Sequence, residues 1–109
     1  MDKTLIPSEA EILKMSLMLK IMSDSTRVKI LFAIKNKPKS VNDIVTLVGA
    51  SQSAVSHQLS IMRGVNIVET KRDGNKIYYC LSDNKISKML DIARSRIWCK
   101  RLLQETKYM

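Results

Sequence analysis

Apolar positions along this chain follow a helical period in five stretches and an alternating period in one, and the changeovers carry cap and turn residues. Ser8 followed by Glu11 has capping-box spacing, so a first helix is expected from near Glu9 to about Met22. Its apolar residues Ile12, Leu13, Met15, Leu17, Met18, Leu19, Ile21 and Met22 cover most of the circumference. On a small monomer such a helix leaves an adhesive patch, so a second chain is expected to cover it. Ser23-Asp24-Ser25 supplies the next break and cap, and Thr26 to about Lys35 reads as a second helix. Val28, Ile30, Leu31 and Ile34 form its core stripe, with Phe32 and Ala33 beside them. Asn36-Lys37-Pro38 stops it, because the residue before a proline is pushed out of the helical region. Ser40 caps a third helix, Val41 to Val48, with Ile44, Leu47 and Val48 expected inward, and Gly49-Ala50 makes the turn.

The fourth helix differs from the others. Ser51 reads as its N-cap, and Val55, Leu59 and Met62 recur at i, i+4, i+7 on one face. The other face carries Gln52, Ser53, Ser56, His57 and Ser60, with Arg63 closing the stretch. Each serine lowers helix propensity by roughly half a kcal/mol against alanine, so the sequence gives up local stability on this face. Short polar side chains let a helix backbone approach another molecule closely, and the major groove of DNA displays the matching donors and acceptors. The plainer reading is a serine-rich surface helix.

Alternation then takes over. Ile67-Val68-Glu69-Thr70-Lys71 reads as a strand, Asp73-Gly74 as a hairpin signal, and Lys76 to Leu81 as the returning strand. Ile77, Tyr79 and Leu81 point one way, and Lys76, Tyr78 and Cys80 the other. Lys71, Arg72, Asn75 and Lys76 make the tip a cationic finger able to reach phosphates beside a groove. Asp83 caps a last helix, Asn84 to about Gln104, with Ile86, Met89, Leu90, Ala93 and Ile97 as one stripe. Met1 to Pro7 reads as a loose arm, and Glu105 to Met109 as a frayed end.

These elements predict a mainly α fold with a β-hairpin wing (α+β): a winged helix-turn-helix whose first and fifth helices form a dimer interface. Residues 1–109 are one domain, with the helix-turn-helix at about 41–63, the wing at about 67–81 and the dimerisation helix at about 84–104. Composition narrows the partner. Lys and Arg number 19 against 10 Asp and Glu, a net charge of +9, which favours a polyanion. Aromatics at 5% offer little to stack unpaired bases on, which disfavours single-strand or RNA binding. No apolar run long enough for a membrane span and no signal peptide is apparent, so no membrane partner and a cytoplasmic location are expected. Cys80 and Cys99 fit a reducing compartment better than a disulfide scaffold. No nucleophile–base pair, glycine-rich phosphate loop or carboxylate dyad can be assembled, so no catalytic residue and no enzyme activity are expected.

The chain resembles the ArsR/SmtB family of winged-helix transcriptional repressors. The likeness rests on Leu19-Lys20-Ile21-Met22-Ser23-Asp24-Ser25-Thr26-Arg27-Val28-Lys29-Ile30-Leu31, on Ser51-Gln52-Ser53-Ala54-Val55-Ser56-His57-Gln58-Leu59, and on Arg72 to Leu81. It covers roughly Ile12 to Ile97, and the S-Q-S-x-V-S-H-x-L block is specific. The resemblance implies a homodimer that binds a pseudo-palindromic double-stranded operator and lets go when an inducer, most often a metal ion, binds. It places the DNA contacts on Gln52, Ser53, Ser56 and His57, with Arg72 and Lys76 from the wing; Ser60 and Arg63 join them from the helix pattern.

The inducer positions depart from the family. Where its zinc-type pattern has Asp-x-His, ten residues, then His-x-x-His, this chain reads Asp83-x-Lys85 and Arg96-x-x-Cys99. Cations repel a divalent ion and offer it no lone pair. Val41-Asn42-Asp43 stands where an arsenic-type cysteine pair is expected, and no cysteine precedes Cys80. His57 has no ligand among its helical neighbours 53, 54, 60 and 61. No metal and no cofactor are therefore expected. Asp83, Lys85 and Arg96 are candidates for an ion-pair cluster across the dimer, and Cys80 and Cys99, the latter beside Lys100 and Arg101, for thiol sensing. The expected function is a sequence-specific regulator, a dimeric repressor released by an unidentified inducer. The rivals are an effector-independent or architectural DNA binder and a winged-helix protein-interaction module.

Overall fold

Five helices and one hairpin follow the order α1 (Glu9–Ile21), α2 (Ser25–Ile34), α3 (Val41–Val48), α4 (Gln52–Gly64), β1 (Val68–Asp73), β2 (Lys76–Leu81), α5 (Asn84–Ile97). The computed structural model describes residues 5–97. Cys99 and the expected continuation of the last helix to Gln104 lie outside the described residues, as do Met1–Thr4 of the expected arm and Glu105–Met109 of the expected frayed end.

Every helix begins on the side chain its sequence offers as a cap. Ser8 Oγ accepts from the Glu11 amide at 3.2 Å, Ser40 Oγ from Asp43 at 3.2 Å, and Ser51 Oγ from Ala54 at 3.1 Å. Asp24 Oδ2 accepts from Arg27 at 3.1 Å, which starts α2 at Ser25, one residue before the expected Thr26. Asp83 Oδ1 takes the amides of Lys85 at 2.7 Å and Ile86 at 3.3 Å. Each such cap contributes about 1 kcal/mol by satisfying an amide the helix cannot. Gly49 ends α3 at φ +76°, the left-handed conformation open to a residue without Cβ. Asn66, at φ +62°, makes the corresponding bend after α4, and its carbonyl accepts from Ser82 Oγ.

The core is shared by α2, α3, α4, the base of the hairpin and the first half of α5. Ile30, Leu31, Ile34, Ile44, Val55, Leu59, Met62, Ile67, Val68, Ile86 and Leu90 are buried together, with Ile21 at the end of α1. One inward residue was misassigned by the apolar pattern. Leu47 is 61% exposed, and Val41, Val45 and Val48 pack beside Ile44 instead. At 3.6 residues per turn those four form one stripe, and Leu47 falls roughly 100° to its side.

The hairpin is longer than expected on its first strand. Asp73 pairs with Lys76, so the loop is Gly74-Asn75, with Gly74 at φ +62° in the first loop position. An isolated bridge is added to the two-stranded sheet. Lys39 N donates to Tyr79 O at 3.0 Å, and Tyr79 N to Lys39 O at 2.8 Å, tying the α2–α3 connection to the wing. By contrast α1 is exposed along its whole length except Ile21, with Leu13 at 72%. On α5, Ile86 and Leu90 turn inward, while Met89, Ile92 and Ile97 remain exposed.

Candidate nucleic-acid interface

Val55, Leu59 and Met62 are 0% exposed, which fixes the rotation of α4 about its own axis. That rotation puts Gln52, Ser53, Ser56, His57, Ser60 and Arg63 outside, all exposed. Ser53 Oγ lies 3.3 Å from the capping Ser51 Oγ, so part of its hydrogen-bonding capacity is met locally. Gln52 to Gly64 contains no acidic residue. An approaching phosphate backbone therefore meets no repulsion from this helix, and its open N-terminal amides add to the attraction.

The hairpin that follows α4 carries exposed cations at its tip, on both of its faces. Cross-strand partners share a face, so Arg72 lies with Ile77 and Lys76 with Asp73, on opposite faces of the hairpin. Both are exposed at the tip, with exposed Lys71 one position further in. Arg72 and Lys76 thus flank the tip from two sides. Sequence reading missed what ties the hairpin to the α2–α3 connection, the Lys39–Tyr79 bridge. Nothing local signals an isolated bridge between residues so far apart in the chain.

Cys80 is buried at the base of the wing. Its Sγ lies 3.8 Å from both the backbone carbonyl and Oε1 of Glu69. Burial pushes the thiol pKa up, and the neighbouring Glu69 charge adds to the rise, with Lys71 opposing it. These are the surroundings of a small packing residue rather than of a reactive thiolate. Cys99, the other thiol candidate, lies outside the described residues.

Two of the family's metal positions, Lys85 and Arg96, carry cations that offer a divalent ion no lone pair. An Asp83 oxygen already serves two amides of α5. Among the described residues the ion pairs are Arg27–Asp24 at 3.8 Å and Lys35–Asp91 at 2.8 Å. Neither joins Asp83, Lys85 and Arg96 within one protomer.

A helix–turn–helix followed by a two-stranded wing defines the class, a winged helix-turn-helix protein. The family described as bacterial regulatory protein, arsR family, matches residues 24–70, from the α2 cap into the wing. The chain is 37% identical over 75 residues to the HTH-type transcriptional regulator NmtR of Mycobacterium tuberculosis, covering 69% of this chain and 62% of that protein. The crystal structure of NolR from Sinorhizobium fredii superposes with a TM-score of 0.74 at 33% identity, covering 85% of this chain and 95% of the other. HlyU from Vibrio cholerae gives 0.75 at 27%, covering 85% and 100%. This chain belongs to the ArsR family of bacterial regulatory proteins. It spans less than two thirds of the curated relatives it matches first, 62%, 49% and 55% of their lengths. No helix among the described residues is long and apolar enough to cross a membrane.

Proposed function

We propose that the chain is a homodimeric repressor that binds a pseudo-palindromic duplex operator, reading base edges with α4 and gripping phosphates with the wing. The observation that carries this is the exposed, acid-free, short-chained face of α4 set over a fully buried Val55–Leu59–Met62 stripe. Gln52, Ser53, Ser56 and His57 are the base-reading set, supported by Ser60; Arg63, Arg72 and Lys76 are the phosphate set. The exposed apolar length of α1 supports a second copy, and two copies present two α4 helices to half-sites about 34 Å apart. NmtR, named above as a transcriptional regulator, supports the regulator part of this reading.

The test is a titration of duplex oligonucleotides with the full chain at several salt concentrations. Ser56→Ala or His57→Ala is expected to lower affinity for the selected operator by roughly 1–3 kcal/mol while leaving random duplex unchanged. Lys76→Ala is expected to weaken both and to reduce the salt slope by about one. Equal losses from all three substitutions on both duplexes would favour an architectural binder. Absence of salt-dependent duplex binding would leave the interaction-module reading standing.

A further inference from the structure

At the base of the wing, the end of α2, the residues that follow it and the first turn of α5 enclose a hollow of about 280 Å³. That is just below the roughly 300–1,000 Å³ usual for small-molecule pockets, so it suits a single group presented by a larger partner. Lys35, Lys37 and Lys71 line it together with Asn36 and Asp83. Lys35 is paired with Asp91 at 2.8 Å, whereas neither ion pair among the described residues involves Lys37 or Lys71, both exposed. Asp83 is turned to its own helix, where Oδ1 accepts from the amides of Lys85 and Ile86. Glu69, on the same face of the hairpin as Lys71, has Oε1 3.8 Å from Cys80 Sγ. Two uncompensated ammonium groups at one hollow repel each other, and an anion set between them turns that repulsion into attraction.

We propose that this hollow holds a backbone phosphate of duplex DNA flanking the operator, so that the bound DNA extends past the segment read by α4. The pairing register supplies the path. Lys76 lies opposite Asp73 and Lys71 opposite Tyr78, two positions further in, so both lysines stand on one face of the wing. Lys71 then shares the hollow with Lys37. Cations therefore follow one another from the tip of the wing to its base, and this continuity with the phosphate-gripping tip favours a duplex phosphate over a free anion. The hollow also lies clear of the apolar surface assigned to a second copy. Its α5 residues Asn84 and Ser87 sit roughly 140° around the helix from the exposed Met89 and Ile92. No residue of α1 lines it. Phosphate contacts carry no base identity, so the flank adds affinity without adding sequence preference. The proposal rests on the DNA-binding reading above.

The test compares a duplex of the operator core with one extended by about one helical turn (~10 base pairs) of arbitrary sequence on each side. Both are titrated with the full chain between about 50 and 200 mM salt. The unmodified protein should bind the longer duplex more tightly and lose that advantage as salt rises. Lys37→Gln should leave affinity for the core duplex unchanged and cut the salt slope on the longer one by roughly 1.8 per dimer, about 0.9 for each phosphate released. Over that salt range the unmodified protein then loses roughly tenfold more affinity for the longer duplex than the variant does. Lys37→Arg should keep the steeper slope. Lys29→Gln, which removes an exposed cation of α2 outside the hollow, should behave as the unmodified protein. Longer duplexes steepen the slope for any cationic protein, and comparing variants on the same duplex removes that contribution. The proposal is overturned if Lys37→Gln keeps the full slope, if Lys29→Gln loses as much, or if free nucleoside triphosphate saturates the hollow in calorimetry while the longer duplex gives no advantage. Binding of the core duplex with no gain on the longer one sinks the flank site alone. Absence of salt-dependent binding to either duplex sinks the DNA-binding reading with it.

Discussion

α1 and α4 are each thirteen residues long, begin on a serine cap and carry apolar residues, yet the fold treats them oppositely. α4 spends its apolar stripe inside its own chain and shows short polar groups outside. α1 buries only Ile21 and leaves Leu13, Leu17 and Leu19 in water. The lesson concerns where each helix finds its partner. For α4 the protein interior is already satisfied, so its exposed face is free to meet something polar and charged. For α1 the hydrophobic surface remains unspent, and burying one leucine side chain contributes about 1.5–3 kcal/mol, so a second apolar surface is strongly favoured.

The sharpest way to break this contrast is to remove one leucine from each helix. Leu59→Ala should destabilise the protomer by about 2–5 kcal/mol in urea unfolding, because the rigid surroundings leave a cavity. Leu13→Ser should change protomer stability by no more than about 0.5 kcal/mol once association is subtracted. It should instead weaken dimerisation at least about tenfold in sedimentation equilibrium, since over 1.4 kcal/mol of burial is lost. Similar unfolding losses for the two variants would erase the distinction.

A finer comparison lies within α4. Ser51→Ala removes the hydroxyl that accepts from Ala54 and should cost about 1 kcal/mol of stability. Ser56→Ala, one turn further along on the outer face, should raise helix propensity and leave stability unchanged or higher by a few tenths of a kcal/mol. Thermal unfolding of the two variants separates a serine that builds the helix from one that is displayed by it.

The smallest expected effect concerns Cys80. Its thiol pKa is higher folded than unfolded, so the folded state retains the proton over the interval between the two values. The stabilisation this contributes is fully present below the unfolded thiol value and is lost as pH rises through the folded one. Unfolding measured across the alkaline range should show that decline, and Cys80→Ala should flatten it.

Which face α4 turns outward was legible because its determinants are local. Ser51 announces its helix through one hydrogen bond, and the i, i+4, i+7 recurrence of Val55, Leu59 and Met62 fixes which residues face away. The same reasoning marked α1 as too apolar for a monomer surface. It assigned Leu47 inward because a short apolar helix offers several stripes, and only the neighbours select one. The pairing register adds that Arg72 and Lys76 sit on opposite faces of the wing tip.

What the sequence alone determined, then, is which residues cap the helices, which side of α4 is polar, and that the hairpin follows it. Each depends on interactions spanning a few residues, whose energies are set by the residues themselves. Only the tertiary structure decided that Lys39 pairs with Tyr79 across 40 residues of chain, that Cys80 is buried against Glu69, and that Lys37 and Lys71 line one hollow. Those outcomes depend on which surfaces meet when distant elements pack, and no short stretch of sequence carries that information.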